Sequence, residues 1–387
     1  FVGSEAGKGG QTSAPFSSGT SNTAVGYQAL LSHTTGFGNT AIGGNSLDAV
    51  NSGNYNVAVG PSAGGALTTA SNTIAIGYGT YDAATTAGYT IAIGGLTLSA
   101  YNHAENSYNV AIGYSVANLK TSGRFNTYIG GYQNAAADLT GTQNVWIGSY
   151  ANQYGTDTDS TTLVGYEAGR YATGSYNTFI GEQAGKGGTT SAPYSSGEYN
   201  VAIGYEALES FTTADKCVAI GYGAGKAHQT AAWGVYIGYE AGNDVTTGAQ
   251  NVLIGGDAGA KITTGDRNIA IGGAALQTAT TGDANTAVGD NAGWSATTAS
   301  GSVFMGRLAG GNIDSSNANV AIGQQALENV DAGSDGNVAV GYKAGNAHTN
   351  AGNEGSVYIG HKAGQGIVNS QVTMIGWEAG SGYSGIG

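Results

Sequence analysis

The stretch Asn200–Leu208, NVAIGYEAL, sets the pattern of the whole chain: an apolar run, one glycine, one aromatic residue and then small residues. The glycine that closes its V-A-I-G part recurs throughout the 387 residues, and every step from Gly204 to Gly323 is 17 residues. Most other steps are 16 to 19 residues. Because a fixed period of this length is typical of solenoids, the sequence predicts one structural unit copied about twenty times.

The residues before the closing glycine predict a strand with two apolar faces. With that glycine as position 0, position −1 is Val, Ile or Met, position −3 is Val, Ile or Thr, and position −2 is most often Ala. Side chains alternate along a strand, so positions −3 and −1 share a face, which we expect to form the core of the coil. An apolar opposite face is typical of strands covered on both sides. Either the chain's own loops or another copy of the chain could cover this face, and we favour a second copy packed on the alanines, at a seam of Ala24, Ala41, Ala58, Ala202, Ala219 and Ala270.

The rest of each repeat predicts a corner, a second short strand and a return turn. The corner is expected at the closing glycine, because glycine adopts backbone conformations that other residues avoid. These corner glycines include Gly26, Gly43, Gly60, Gly77, Gly204, Gly221, Gly238, Gly255 and Gly272. The second strand would carry the alanine at position +3, and pairs such as Thr263-Thr264 would form the return turn. Asparagine at position −4 favours either a ladder of stacked side-chain amides or a turn at the strand entrance.

A larger repeat overlies the small one. Residues 1–32 match residues 179–210 at an offset of 178, and both contain a 23-residue step that predicts a protruding loop. We therefore expect one continuous solenoid over 1–387, with superblocks 1–178 and 179–356 and the start of a third at 357–387. The chain begins and ends within repeat phrases, which predicts that it is a segment of a longer fibre.

Composition argues against several classes of protein. The chain has 70 glycines but only 3 prolines, and a glycine period of 17 rather than three excludes collagen. A net charge of −13 with scattered cations argues against nucleic-acid binding. The sequence contains no run of about 18 apolar residues, so it predicts no membrane span. Cys217 is the only cysteine, so no intrachain disulfide can form, and no cofactor is expected.

No motif indicates catalysis or a metal site. The histidines His33, His103, His228, His348 and His361 are far apart, and we expect most of them in solvated loops. No G-G-x-G-x-D calcium repeat is present, and an enzyme is not expected. Thr-Thr pairs in five of the six coils between Thr212 and Thr298 raise an ice-binding alternative, although adjacent residues of a strand face opposite ways.

Aromatic residues offer the candidates for recognition. Tyrosines at position +1 either form ligand platforms or stack on one another: Tyr27, Tyr78, Tyr114, Tyr166, Tyr205, Tyr222, Tyr239 and Tyr342. Loops on rigid scaffolds tend to carry function, so we expect ligand contacts from Phe16 and Tyr194 in the protruding loops. Tyr101 and His103, in a longer step, are further candidates.

The phrases NTAVGYQAL at Asn22–Leu30 and NTAIGGNSL at Asn39–Leu47 resemble the head repeats of YadA-like trimeric autotransporter adhesins and the repeats of phage tail fibres. The resemblance implies an all-β, parallel, left-handed β-roll that assembles as a homotrimer. Carried over by position, Val201 and Ile203 would point into the roll, Ala202 towards the trimer axis, and Gly204 would mark the corner.

The resemblance also implies a setting and a function. It predicts an extracellular shaft or adhesive segment on a virion or cell surface, with a surface glycan or host receptor as partner. The composition and the repeat equally suit a self-assembling structural filament that has no receptor.

Overall fold

The computed structural model describes residues 1–10, 17–132, 134–188, 195–330, 332–347, 354–367 and 371–381. Within these ranges the fold is a parallel β-solenoid without helices, in which each coil of about 17 residues contributes one three-residue strand. The predicted all-β solenoid is confirmed. The candidate ligand residues Phe16 and Tyr194, and also His348, lie outside the described residues.

The chain divides into two compact units, Phe1–Glu198 and Tyr199–Gly387. The first unit contains ten strands, which pair in parallel from each coil to the next. These are β1 Thr23–Val25, β2 Thr40–Ile42, β3 Val57–Val59, β4 Ile74–Ile76, β5 Ile91–Ile93, β6 Val110–Ile112, β7 Thr127–Ile129, β8 Val145–Ile147, β9 Thr162–Val164 and β10 Thr178–Ile180.

The second unit contains eleven strands that pair in the same way. These are β11 Val201–Ile203, β12 Val218–Ile220, β13 Val235–Ile237, β14 Val252–Ile254, β15 Ile269–Ile271, β16 Thr286–Val288, β17 Val303–Met305, β18 Val320–Ile322, β19 Val338–Val340, β20 Val357–Ile359 and β21 Thr373–Ile375. The register pairs the same repeat position of successive coils, as with Ala202 and Ala219.

The interior of each coil is built around position −2, not around positions −3 and −1. Ala202 is fully buried within the single chain, whereas Val201 and Ile203 on either side of it are partly exposed. The predicted inward direction of Val201 and Ile203 is therefore wrong, and so is the seam, because its alanines cannot reach another chain. All six are 0% exposed: Ala24, Ala41, Ala58, Ala202, Ala219 and Ala270.

Larger residues at position −2 fill the same interior. In β7–β20 they are at most 1% exposed, as in Tyr128, Trp146, Phe179, Tyr236, Phe304 and Tyr358, whereas Met374 in β21 is partly exposed. The alanine at +3 and the leucine that follows it in some coils are buried as well, as with Ala29 and Leu30, both at 0% exposure. At position −2 the core of the first unit thus runs from six alanines in β1–β6 to four larger side chains in β7–β10.

The glycine after each strand occupies a corner that excludes a side chain. Gly204 has a φ of 133°, in the range that L-residues avoid. A Cβ atom at Gly204 would also collide with the backbone carbonyl of Gly221 in the next coil. The same positive φ and the same close approach recur at the other eight predicted corner glycines. Glycine is therefore required at the corner by both conformation and space.

The predicted second strand is absent from the described coils. Instead, the segment after the corner alternates between right- and left-handed conformations, with Gln28 at a φ of 53° and Leu30 at 54°. The amides of these two left-handed residues bond to opposite neighbouring coils. The Gln28 N–H donates to Ser4 of the preceding coil, and the Leu30 N–H donates to Ser46 of the following one, both at 3.0 Å. Stacking hydrogen bonds thus continue through the turn without a strand.

The asparagines at position −4 form a buried ladder that ties the strand entrance to the return turn. Asn251 Oδ1 accepts a hydrogen bond from the backbone N–H of Asn268 at 2.8 Å. The side-chain amide of Asn268 donates to the Gly282 carbonyl at 2.8 Å. In the first unit, the side chain of Asn39 also donates to Asn22 Oδ1 at 3.2 Å. The ladder and the turn role proposed as alternatives therefore both occur.

Candidate interaction surface

The most prominent surface feature is the outward face of the strands. Positions −3 and −1 lie on the side opposite the buried position −2, and they are intermediate or exposed in all 21 strands. Among these residues, Ile42 is 41% exposed and Met305 is 44% exposed. We call the residues at positions −5, −3, −1 and +1 the apolar strip of each unit. A row of Val and Ile side chains in water is unfavourable unless something covers it.

One edge of the strip is a file of aromatic residues at position +1. Tyr205, Tyr222 and Tyr239 lie 5.2 Å apart between successive ring centroids, with interplanar angles of 15° and 9°. Further along the second unit, His361 stacks on Tyr342 at 5.3 Å and on Trp377 at 4.0 Å. Where such rings stack, they cover each other's faces and present their edges to solvent. Of the two interpretations of the tyrosines at position +1, stacking on one another is therefore the one observed for these residues. Ring faces that are covered within a stack are not free to bind a sugar.

A second aromatic file flanks the strands at position −5. Tyr89, Tyr108 and Phe125 of the first unit stack with centroid distances of 5.2 and 5.3 Å and are each about half exposed. The equivalent positions in the second unit hold Tyr199 and Trp233, which are also exposed. The Val/Ile row therefore lies between two aromatic edges. These residues were not predicted from the sequence, although five of the first ten coils carry an aromatic residue five positions before the closing glycine.

The candidate ligand residues of the long step separate into one buried and one surface residue. Tyr101 is fully buried, stacks on Tyr81 at 5.7 Å and donates its hydroxyl to the Gly123 carbonyl at 2.8 Å. Burial raises its pKa to about 12. Its predicted role as a ligand contact is wrong, because the side chain is part of the core. His103 is partly exposed, and its Nδ1 accepts the Glu105 backbone N–H at 3.1 Å.

Two histidines that we expected in solvated loops lie inside the coils. His33 is 3% exposed and His228 is 0% exposed, because their position in the coil is a core position that holds Val50, Leu67 or Phe211 elsewhere. Burial lowers the pKa of His228, so the ring is held neutral there. The expectation that most histidines are solvated is therefore wrong for these two.

His228 forms a buried cluster with the single cysteine. Cys217 Sγ lies 3.4 Å from His228 Nε2, and the Tyr236 hydroxyl lies 3.2 Å from His228 Nδ1. A Cys–His pair is a familiar nucleophilic arrangement, but here all three side chains are 0% exposed. Burial also raises the pKa of the Cys217 thiol to about 11. A thiol that is both protonated and inaccessible cannot attack a substrate, so we assign the cluster to the core.

The return turns use their threonine hydroxyls within the fold. The first threonine of each pair donates to a carbonyl one coil further on, as in Thr246 to Thr263 at 3.0 Å and Thr263 to Thr280 at 3.1 Å. Only the second threonine is exposed, for example Thr247 and Thr264. A single file of free hydroxyls is narrower than the flat array on which the ice-binding alternative depends.

Neither a metal centre nor a membrane segment is found in the described part of the chain. No group of three or more His, Cys, Asp or Glu side chains is placed to hold a metal ion there. No helix in those ranges is long and apolar enough to cross a bilayer. The outward strand face that forms the apolar strip recurs within each unit.

The structure places the chain in the class of β-solenoid repeat proteins. No family model matches the sequence, and no curated protein shows significant similarity to it.

Proposed function

We propose that the chain is a structural shaft segment of an extracellular homo-oligomeric fibre that serves surface or host attachment. One observation carries this proposal: the outward Val and Ile side chains of the strands are at least partly exposed, while the alanine row that we expected to meet a partner is buried in the core. The resemblance to trimeric adhesin and tail-fibre repeats makes three chains the expected number. The expected setting is a virion or cell surface.

A second copy of the chain fits the strip better than a different partner. The strip repeats at the spacing of the coils, and another chain of the same period can match it coil by coil. It is also poor in charge, although the chain as a whole carries −13. Apolar, weakly charged surfaces are typical of the permanent interfaces between identical subunits. Covering the strip would remove Ile220, Ile269 and Ile271, each 37–39% exposed in the single chain, from water.

The experiment is a measurement of assembly mass by multi-angle light scattering, with the proposal predicting three times the mass of one chain. The double substitution Ile220→Lys and Ile271→Lys puts two charges on the strip and is expected to dissociate the assembly. The matched control is Thr264→Lys, at an exposed return-turn position away from the strip. A single-chain mass for the unaltered protein would overturn the proposed assembly.

Attachment requires a separate test. The assembled, unaltered protein is expected to bind a glycan array or whole cells. Assembly without binding to any such surface would favour the receptor-free filament instead.

A further inference from the structure

A lysine and an aspartate face each other in the core of the first unit. Lys120 and Asp138 both lie ten residues before the next closing glycine, one coil apart. At this position other coils hold a buried histidine, as with His33 and His228, or a fully buried apolar residue: Val50, Leu67, Phe211, Val245 and Ile262. A charged pair in such a column is costly to desolvate, and a pair of apolar side chains would be the ordinary choice.

The two side chains are in contact and shielded from water. Lys120 Nζ lies 2.6 Å from Asp138 Oδ2, and both side chains are 0% exposed. Lys120 Nζ also donates to the Gly141 carbonyl at 2.7 Å. Burial lowers the pKa of the Lys120 ammonium, although Asp138 beside it acts in the opposite direction. Lys120 therefore loses its proton more readily here than a lysine on the surface would, and the neutral amine that results is the nucleophilic form.

The carboxyl group of Asp138 is held at both oxygens. The Tyr128 hydroxyl donates to Oδ2 at 2.6 Å, and the Gly141 backbone N–H donates to Oδ1 at 2.8 Å. The ring of Tyr128 packs against Trp146 at 4.9 Å, which closes the site with aromatic surface. A donor on Oδ1 stabilises negative charge that develops on that oxygen, and a hydroxyl on Oδ2 is placed to assist its departure.

We propose that Lys120 and Asp138 condense into an isopeptide bond that joins two adjacent coils covalently. Proton transfer within the ion pair gives the amine and the carboxylic acid. The Nζ atom then attacks Cγ and forms the N–C bond, with the negative charge on Oδ1 held by the Gly141 N–H. The Cγ–Oδ2 bond breaks, and Oδ2 leaves as water with two protons that come from Lys120. Tyr128 relays one of these protons, donating its own to Oδ2 and regaining one from Nζ, so no other reactant is needed.

The experiment is an intact-mass measurement on the folded full chain. The proposal predicts a mass lower than that of the encoded sequence by one water per chain, and a proteolytic map in which the peptide containing Lys120 is linked to the one containing Asp138. The chain contains a matched comparison in Lys226 and Glu206, whose ion pair has the same 2.6 Å separation, but whose lysine side chain is 38% exposed. That pair should stay unlinked.

Three variants separate the bond from other causes of mass loss. Lys120→Arg should restore the encoded mass. Asp138→Asn should form the same bond with loss of ammonia instead of water, and Tyr128→Phe should slow the mass loss that follows refolding. An unaltered protein that keeps its full encoded mass after prolonged incubation would overturn the proposal, as would a loss of water that persists in Lys120→Arg. The measurement on the unaltered chain does not depend on whether any variant folds.

Discussion

The direction of the strand side chains can be tested with two neighbouring residues of β14. Leu253 is 0% exposed, and a Cβ atom at either Gly242 or Gly259 would touch its side chain, so it fills the interior of its coil. Leu253→Ala removes three carbon atoms from this packing and should cost about 3 kcal/mol, within the usual range for buried leucines. Val252, adjacent on the strand, is partly exposed. Val252→Thr should cost less than about 0.5 kcal/mol.

Hydrogen exchange is the suitable assay, because a solenoid opens coil by coil and a global midpoint would average over the units. The reporters are the amides that bond across the coils, Val235 to Asn251 and Val252 to Asn268, both at 2.8 Å. A loss of 3 kcal/mol predicts about 100-fold faster exchange at these amides in Leu253→Ala. Val252→Thr should change the rate by about twofold or less. If Val252 instead pointed inward, its new hydroxyl would be buried at a cost of about 1–3 kcal/mol, and comparable acceleration in the two variants would refute the assignment.

Two further predictions concern the corner and the buried histidine. Gly204→Ala should destabilise its coil by about 2 kcal/mol or more, because the residue has a φ of 133° and no room for a Cβ atom. The control, Gly256→Ala, should be neutral, because a Cβ atom there would meet nothing within 4 Å. Hydrogen-exchange rates near each site measure both effects. His228 has its pKa lowered by burial, so the unfolded chain binds the proton more readily, and the stability of its coil should be complete above pH 6.5 and decrease as pH falls below it. His228→Phe, which copies Phe211 of the preceding coil, should remove this pH dependence, and an unchanged pH profile would contradict the assignment.

The period and the corner could be predicted from the sequence because each has a strict local cause. The glycine cannot be replaced where the next coil's carbonyl lies against it, so it recurs at every step, as at Gly204 and Gly221. The turn that follows was mistaken for a strand because its left-handed residues are not glycines. Gln28 and Leu30 adopt positive φ under the constraint of hydrogen bonds to both neighbouring coils, and such constraints have no signature in local composition.

The inward and outward faces were exchanged because both are apolar. Larger side chains at positions −3 and −1 suggested a core, while alanine at −2 suggested close approach of another chain. One signal in the sequence separates the faces: threonine occurs at −3 in seven strands, for example Thr127 and Thr286, but never at −2. Because threonine occupies position −3 in a third of the strands, the pattern argues against placing this position in a buried apolar core. Among the three strand positions, aromatic residues occur at −2 alone, where an enclosed space holds them.

The reversed faces also bear on how so thin a coil is stabilised. A core that is alanine in most strands buries less apolar surface per residue than one built from Val and Ile, so its hydrophobic stabilisation is smaller. Hydrogen bonds across the coils, including the asparagine ladder, contribute part of the difference, but each adds only about 1 kcal/mol net. The larger apolar side chains lie on the apolar strip, where a single chain leaves them partly in water. These Val and Ile side chains would be stabilised further if they were buried, and only a second molecule can bury them. Coil stability should therefore increase with assembly.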